Sequence, residues 1–376
     1  MNGSSLIDAD VHVEVPYLEA LHPYLSDHWI EHFTQSLDRG ASPPAPPAPG
    51  APKPTRHTWH APPYYPPNSP IADRAGGARA GDGGGLERLQ REVLGADGVE
   101  AAVTSCLYPV DRLGNPDAAD ALARAVNDWQ IEHWLEPEPR LRGSIVVPIQ
   151  LPEMAVAEIE RVGGHPGFVQ VLLPVRTEHP LGNRLYHPLW AAIERHGLVA
   201  GVHFGGQPNT PPTPTGWPSY FIETYAAMAQ VFATQLTSII VEGVFDACPG
   251  LRVAFLESGF TWLPAHLWRM DKEWKNLRRL VPWVRRPPSD YVREHVRVGI
   301  QPLDAPPTAA QMLQVVDQLG SEDLLMYASD FPHVHLFDAG DKLLDLLPRP
   351  VQNKVRSETA RRLYRLDGGK GAQEHG

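Results

Sequence analysis

Apolar runs rich in β-branched residues recur along this chain, each bounded by turn-forming residues. Eight of them have strand length: 6–12, 99–108, 142–149, 168–174, 198–204, 252–258, 296–301 and 324–330. Between most of them the apolar positions switch to a helical period, over 118–135, 153–162, 185–196, 222–245, 263–280 and 309–319. Strands alternating with helices pair in parallel through right-handed crossovers. The runs SIVVPI (144–149) and LVAGV (198–202) are apolar on both faces, as strands buried between a barrel interior and a helix layer must be. Eight strands suit a closed (β/α)8 TIM barrel. The alternative is an open doubly wound sheet, but no glycine-rich phosphate loop follows the first strand, which favours the barrel.

One stretch breaks the pattern. Residues 40–85 contain PPAPPAPGAPKP, PPYYPPNSP and RAGGARAGDGGG, and proline and glycine at this density support no regular element. The stretch reads as an insertion after strand 1 within a single domain spanning 1–366. Loops after barrel strands emerge on the face where such enzymes place their sites, so His57, Trp59, His60, Tyr64 and Tyr65 are candidates for a lid. A solvated linker or an oligomer contact is the competing reading. The tail 367–376, DGGKGAQEHG, reads as disordered.

Composition narrows the function classes. A hydrophobic fraction of 42% supplies a sizeable core, and no uninterrupted apolar run approaches the roughly 18 residues of a membrane span. The N-terminus lacks a basic and apolar leader pattern, so the cytoplasm is the expected location. With 33 basic against 44 acidic residues the formal charge is −11, which disfavours nucleic acid as a partner. The basic run Arg278, Arg279, Arg285 and Arg286 reads as a solvated helix end. Cys106 and Cys248 have no paired spacing, which argues against a disulfide framework or a thiolate site. His22, His28 and His32 read as surface residues. Trp262, Trp268, Trp274 and Trp283 read as outer packing or a subunit interface; a homodimer is expected, with a hetero-oligomer as the alternative.

The candidate chemistry gathers at strand ends. Asp8, Asp10 and His12 are spaced by two, so a strand places all three on one face. His203 ends strand 5, Glu257 ends strand 6 and Asp330 ends strand 8. A single strand-end His or Asp is more often a loop cap than a ligand. In a barrel, however, the strand tips converge near the axis, and four such tips together point to a divalent cation with Asp10, His12, His203, Asp330 and Glu257 as candidate ligands. Two imidazoles with several carboxylates suit Zn²⁺, Mn²⁺ or Fe²⁺; zinc is the expected ion, with iron or manganese, one ion or two, as alternatives. Glu257 is a candidate base as well as a ligand. His333 and His335 follow Asp330 closely enough to face the site or brace a ligand. Arg176, just past strand 4, is placed to pair with a substrate carboxylate.

The order Asp10-Val11-His12, His203 and Asp330-Phe331-Pro332-His333, together with EGVFDACPGLRVAFLESGFTWLPAHLWRMD (242–271) and ETARRLY (358–364), resembles the amidohydrolase-related family. That family includes the aminocarboxymuconate semialdehyde and γ-resorcylate decarboxylases. The resemblance implies that Asp10, His12, His203 and Asp330 are metal ligands, with Asp330 also a proton carrier, and that the chain is dimeric; Glu257 and His333 are further candidates for catalysis from their own positions. Two departures limit it: those decarboxylases usually carry His or Glu where this chain has Asp10, and His where it has Glu257. A lysine bridge on strand 4, frequent in binuclear relatives, is absent from FVQVLLPV (168–175). The expected activity is hydrolysis or non-oxidative decarboxylation of a small organic acid or amide. The alternatives are a dinuclear iron or manganese oxygenase, which Glu257 keeps open, and a non-catalytic subunit of a hetero-oligomer.

Overall fold

The computed structural model describes residues 5–35, 85–96, 98–206, 211, 213–333 and 340–366. The residues proposed as a lid, the tail 367–376 and His335 lie outside this set. Eight parallel strands follow one another in chain order: β1 (Leu6–His12), β2 (Val99–Ser105), β3 (Leu141–Val146), β4 (Phe168–Pro174), β5 (Val199–His203), β6 (Arg252–Leu256), β7 (Val296–Gly299) and β8 (Leu325–Met326). The last strand meets the first. Ala9 N donates to Tyr327 O at 2.9 Å, Asp330 N to Asp10 O at 3.1 Å and His12 N to Phe331 O at 2.7 Å, and Val11 bridges Phe331 in parallel. The (β/α)8 expectation is therefore met, with β1 and the segment after β8 closing the barrel.

Strand 8 is shorter than the expected 324–330. Its ladder stops at Met326, because Tyr327 N turns to Val355 O and Asp330 adopts a left-handed φ of 56°. The two residues that finish the segment are thereby freed to bond toward β1.

The helix layer follows from sequence signals at each end. Helix α3 (Pro116–Gln130) starts at Asn115, whose side chain accepts from the N–H groups of Asp117 and Ala118, and has proline at its first position. Its buried Asn127 ties the layer to the sheet: Nδ2 donates to Val146 O at 2.8 Å and to Glu158 at 2.7 Å, while Oδ1 accepts from Val146 N. Glu158 belongs to α4 (Pro152–Val162), which packs on α5 (His187–Arg195). The segment Ile222–Val241 has the length and apolar composition to cross a membrane. Here it is the β5–β6 crossover, broken at Ala227 into α6 (Phe221–Ala226) and α7 (Met228–Val241). Val231, Phe232, Leu236, Ile239 and Ile240 spend that apolarity against the barrel, buried.

The bottom of the barrel is sealed by the helix α14 (Thr359–Tyr364). Ala360, Leu363 and Tyr364 pack with Ile7, Val103, Val199, Ala254 and Met326. The Tyr364 hydroxyl donates to Gln170 Oε1 at 2.9 Å, and Gln170 Nε2 donates to Ser144 Oγ at 2.8 Å. Gln170 thus fills the interior beside Gly201, where a Cβ would come within 2.3 Å of the Gln170 side chain. Glycine is required there by close approach, not by backbone conformation.

Candidate metal centre

The strand ends deliver their polar side chains to one buried point. On β1, the period of two turns Asp10 and His12 toward the axis. His12 Nε2 lies 2.7 Å from Asp330 Oδ1, and His203 Nε2 lies 3.1 Å from Asp10 Oδ2. Two donor groups, Asp10–His12–His203 and His12–Asp330–His333, each have ligand atoms within 4.8 Å of one another. The shared His12 joins them. Its ring stands 5.1 Å from that of His203 and 4.6 Å from that of His333. Asp10, His12, His203 and Asp330 are all buried; His333 is partly exposed.

The surroundings orient these groups. Ser105 Oγ donates to Asp10 Oδ1 at 2.9 Å, leaving Oδ2 toward His203. His203 Nδ1 sits 2.7 Å from Phe204 O, which directs Nε2 into the centre. His333 Nδ1 lies 3.0 Å from Asp330 Oδ1. Glu257 stands beside the group: its Oε2 is 3.8 Å from His203 Nδ1, and it belongs to neither donor set. Like Asp330, Glu257 is left-handed, with φ 52°.

The electrostatics are those of crowded buried carboxylates. Burial, then the neighbouring Asp330, holds the Glu257 carboxyl well above the usual carboxylate range, against the opposing pull of His203 and His333. Burial disfavours the charged form of His203, yet Asp10 outweighs it and pushes the imidazole up to about 10. Burial also pushes Asp8 up to about 7, opposed by hydrogen bonds from Ser329 and Asp10. Acidic groups packed this densely away from water call for a positive partner. The donor chemistry fits a divalent cation: two imidazoles, two carboxylates, and His12 Nδ1 buried without a hydrogen-bond partner among the described residues.

Arg176 lies two residues past the end of β4 and is buried. The backbone there is locked to β5: Val175 N donates to His203 O at 2.8 Å and Arg176 N to Gly205 O at 3.1 Å. Burial and the nearby Arg112 lower the Arg176 pKa.

Two outcomes differ from the sequence reading. Asp8, expected on the ligand face, bonds instead to the backbone of Asp10 and Ser329. Ser105 was not anticipated, although it ends β2 at the level of His12, its partner in register. Of the tryptophans assigned to outer packing, Trp268 is exposed, while Trp262 and Trp274 are partly buried and donate to backbone carbonyls.

Comparison with known proteins identifies the family and agrees with the fold. The family model described as amidohydrolase matches residues 7–366. A γ-resorcylate decarboxylase of Rhodococcus jostii is 26% identical over 301 residues, a match covering 75% of this chain and 88% of that protein. Among solved structures, a dihydroxybenzoic acid decarboxylase from Polaromonas sp., with bound manganese and the inhibitor 2-nitroresorcinol, superposes with a TM-score of 0.60 at 19% identity, covering 98% of each chain. An amidohydrolase from Mycobacterium avium subsp. paratuberculosis superposes with a TM-score of 0.69 at 18% identity, covering 100% of this chain and 99% of that one. With nearly its whole length matched by the family model, this chain is a metal-dependent enzyme belonging to the amidohydrolase family.

Proposed function

We propose that this enzyme carries out the non-oxidative decarboxylation of an aromatic carboxylic acid, with manganese held by Asp10, His12, His203 and Asp330. The observation that carries the reading is the convergence of two buried imidazoles and two buried carboxylates at the ends of β1, β5 and the segment after β8, in a chain whose curated relatives are γ-resorcylate decarboxylases. Manganese is preferred here to the zinc expected from the sequence, because two of the decarboxylase structures that resemble this one are described with bound manganese.

When bound, the cation supplies a Lewis acid that anchors the oxygens of the acid. Glu257, whose burial favours the neutral carboxyl, is the proton donor. It delivers that proton to the ring carbon as the carbon–carboxylate bond breaks, so that one CO₂ leaves and one C–H bond forms. Arg176, buried just past β4, pairs with an anionic group of the substrate. The buried setting keeps water away from the reacting carbon.

The test is turnover of a panel of hydroxybenzoic acids under strict anaerobiosis by the purified chain. The expected result is one CO₂ per acid consumed, lost on chelation and restored by Mn²⁺. Turnover only with O₂ would replace this reading with the oxygenase, and no turnover by the chain alone would favour the non-catalytic subunit.

A further inference from the structure

Asp330 owes its position to an unusual stretch of chain. The β8 ladder ends at Met326, and beyond Tyr327, whose O accepts from Ala9 N, the chain runs to a left-handed aspartate. A non-glycine residue holds this conformation only where its surroundings over-determine it. Asp330 N donates to Asp10 O and Phe331 O accepts from His12 N, which leaves Ser329, immediately before the strained residue, to be fixed by something else.

That something is Asp8. Its Oδ1 accepts from Ser329 N at 2.9 Å and from Asp10 N at 3.3 Å. The Ser329 side chain also bonds to Asp8, and Ser329 Oγ accepts from Phe331 N at 3.1 Å. One buried carboxylate therefore grips the backbone of one candidate ligand, Asp10, and of the residue preceding another, Asp330. We propose that Asp8 is the positioning residue of the metal centre: it ligates nothing, and it sets the separation of Asp10 and Asp330 by clamping the seam where the barrel closes.

The inference rests on the metal-centre reading above. Its test is titration of the full-length protein with Mn²⁺, read by electron paramagnetic resonance of the free ion, well below the melting temperature of each variant. Asp8→Asn keeps an acceptor oxygen for both N–H groups and is expected to bind Mn²⁺ as the wild type does. Asp8→Ala removes the acceptor and is expected to weaken binding by about 10- to 100-fold, the usual cost of losing a group that orients a ligand, with a changed line shape for the bound ion. Ser329→Ala leaves Asp8 in place, removes the hydroxyl link and is expected to weaken binding a few-fold. A folded Asp8→Ala protein with wild-type affinity overturns the proposal; should that variant not fold, wild-type affinity in Ser329→Ala overturns it. His203→Ala separates the two readings: if it too binds Mn²⁺ normally, the metal centre itself is misassigned.

Discussion

Glu257 and Asp330 end β6 and the segment after β8 in the same left-handed conformation, at φ 52° and 56°. Each costs about 1–2 kcal/mol relative to a right-handed residue, and functional sites are where such strain is retained. The shared geometry turns two carboxylates toward His203 and His12 from opposite sides of β7. Their roles differ: Asp330 lies within hydrogen-bond distance of two imidazoles, whereas Glu257 keeps 3.8 Å from the nearest one. Glu257→Gln preserves shape and removes the proton that decarboxylation needs, so kcat is expected to fall by about 10²- to 10⁴-fold with manganese content unchanged. Elemental analysis beside steady-state kinetics checks this, and loss of manganese in the variant would make Glu257 a ligand instead. Asp10, His12, His203 and Asp330 were legible in the sequence because a strand end is a one-dimensional signal. The left-handed turns were not, since neither Glu257 nor Asp330 is a residue type that needs φ above zero, and Ser105 escaped because a hydroxyl at a strand end carries no chemical mark of its own.

Among elements, every strand but β8 was legible to within three residues, and β1 and β4 match their expected ranges. Helix α10 (Pro288–His295) was missed, because RRPPSDYVREH carries two adjacent prolines and has only Tyr291 and Val292 as large apolar residues, so its contacts decide its place. Those are bonds from Ser289 to Asp271 and from the Tyr291 hydroxyl to Asp246, at 2.7–2.9 Å. Helix α2 (Gly85–Glu92) was missed although Leu86 and Leu89 share one face, because the glycine-rich run RAGGARAGDGGG (74–85) leads directly into it. It is tied to the start of β3 through Glu138, which accepts from Gln90 Nε2 at 2.9 Å and from Arg140 Nε at 2.9 Å. The Arg140 guanidinium holds the Glu138 carboxyl down at about 2, below its ordinary 4.5. A depressed folded pKa contributes stability that is complete above the unfolded value and is lost as pH falls through the folded one. The melting-temperature gap between wild type and Glu138→Gln is therefore expected to be widest at neutral pH and to narrow as pH falls from 4.5 toward about 2. A gap independent of pH in calorimetry would show that the ion pair contributes nothing.

At the scale of the molecule, alternation of strand and helix predicted the barrel, and the order β1 to β8 carries it. The closed barrel was expected, but the bonds that close it were not legible. Closure depends on backbone bonds between β1 and residues 327–331, and on α14, whose Tyr364 reaches Gln170 across nearly 200 residues of chain. Such contacts leave no local period. The same closure brings Asp10 and His12 from one end of the sequence to Asp330 near the other, so barrel and centre form together. The most direct test of the account is the manganese content of the full chain after loading and desalting, for wild type and His203→Ala. The account predicts about one equivalent in the wild type, since a single cluster with one shared imidazole accommodates one ion, and loss of the ion in a variant that still melts cooperatively. Manganese retained in full by a folded His203→Ala protein would contradict it.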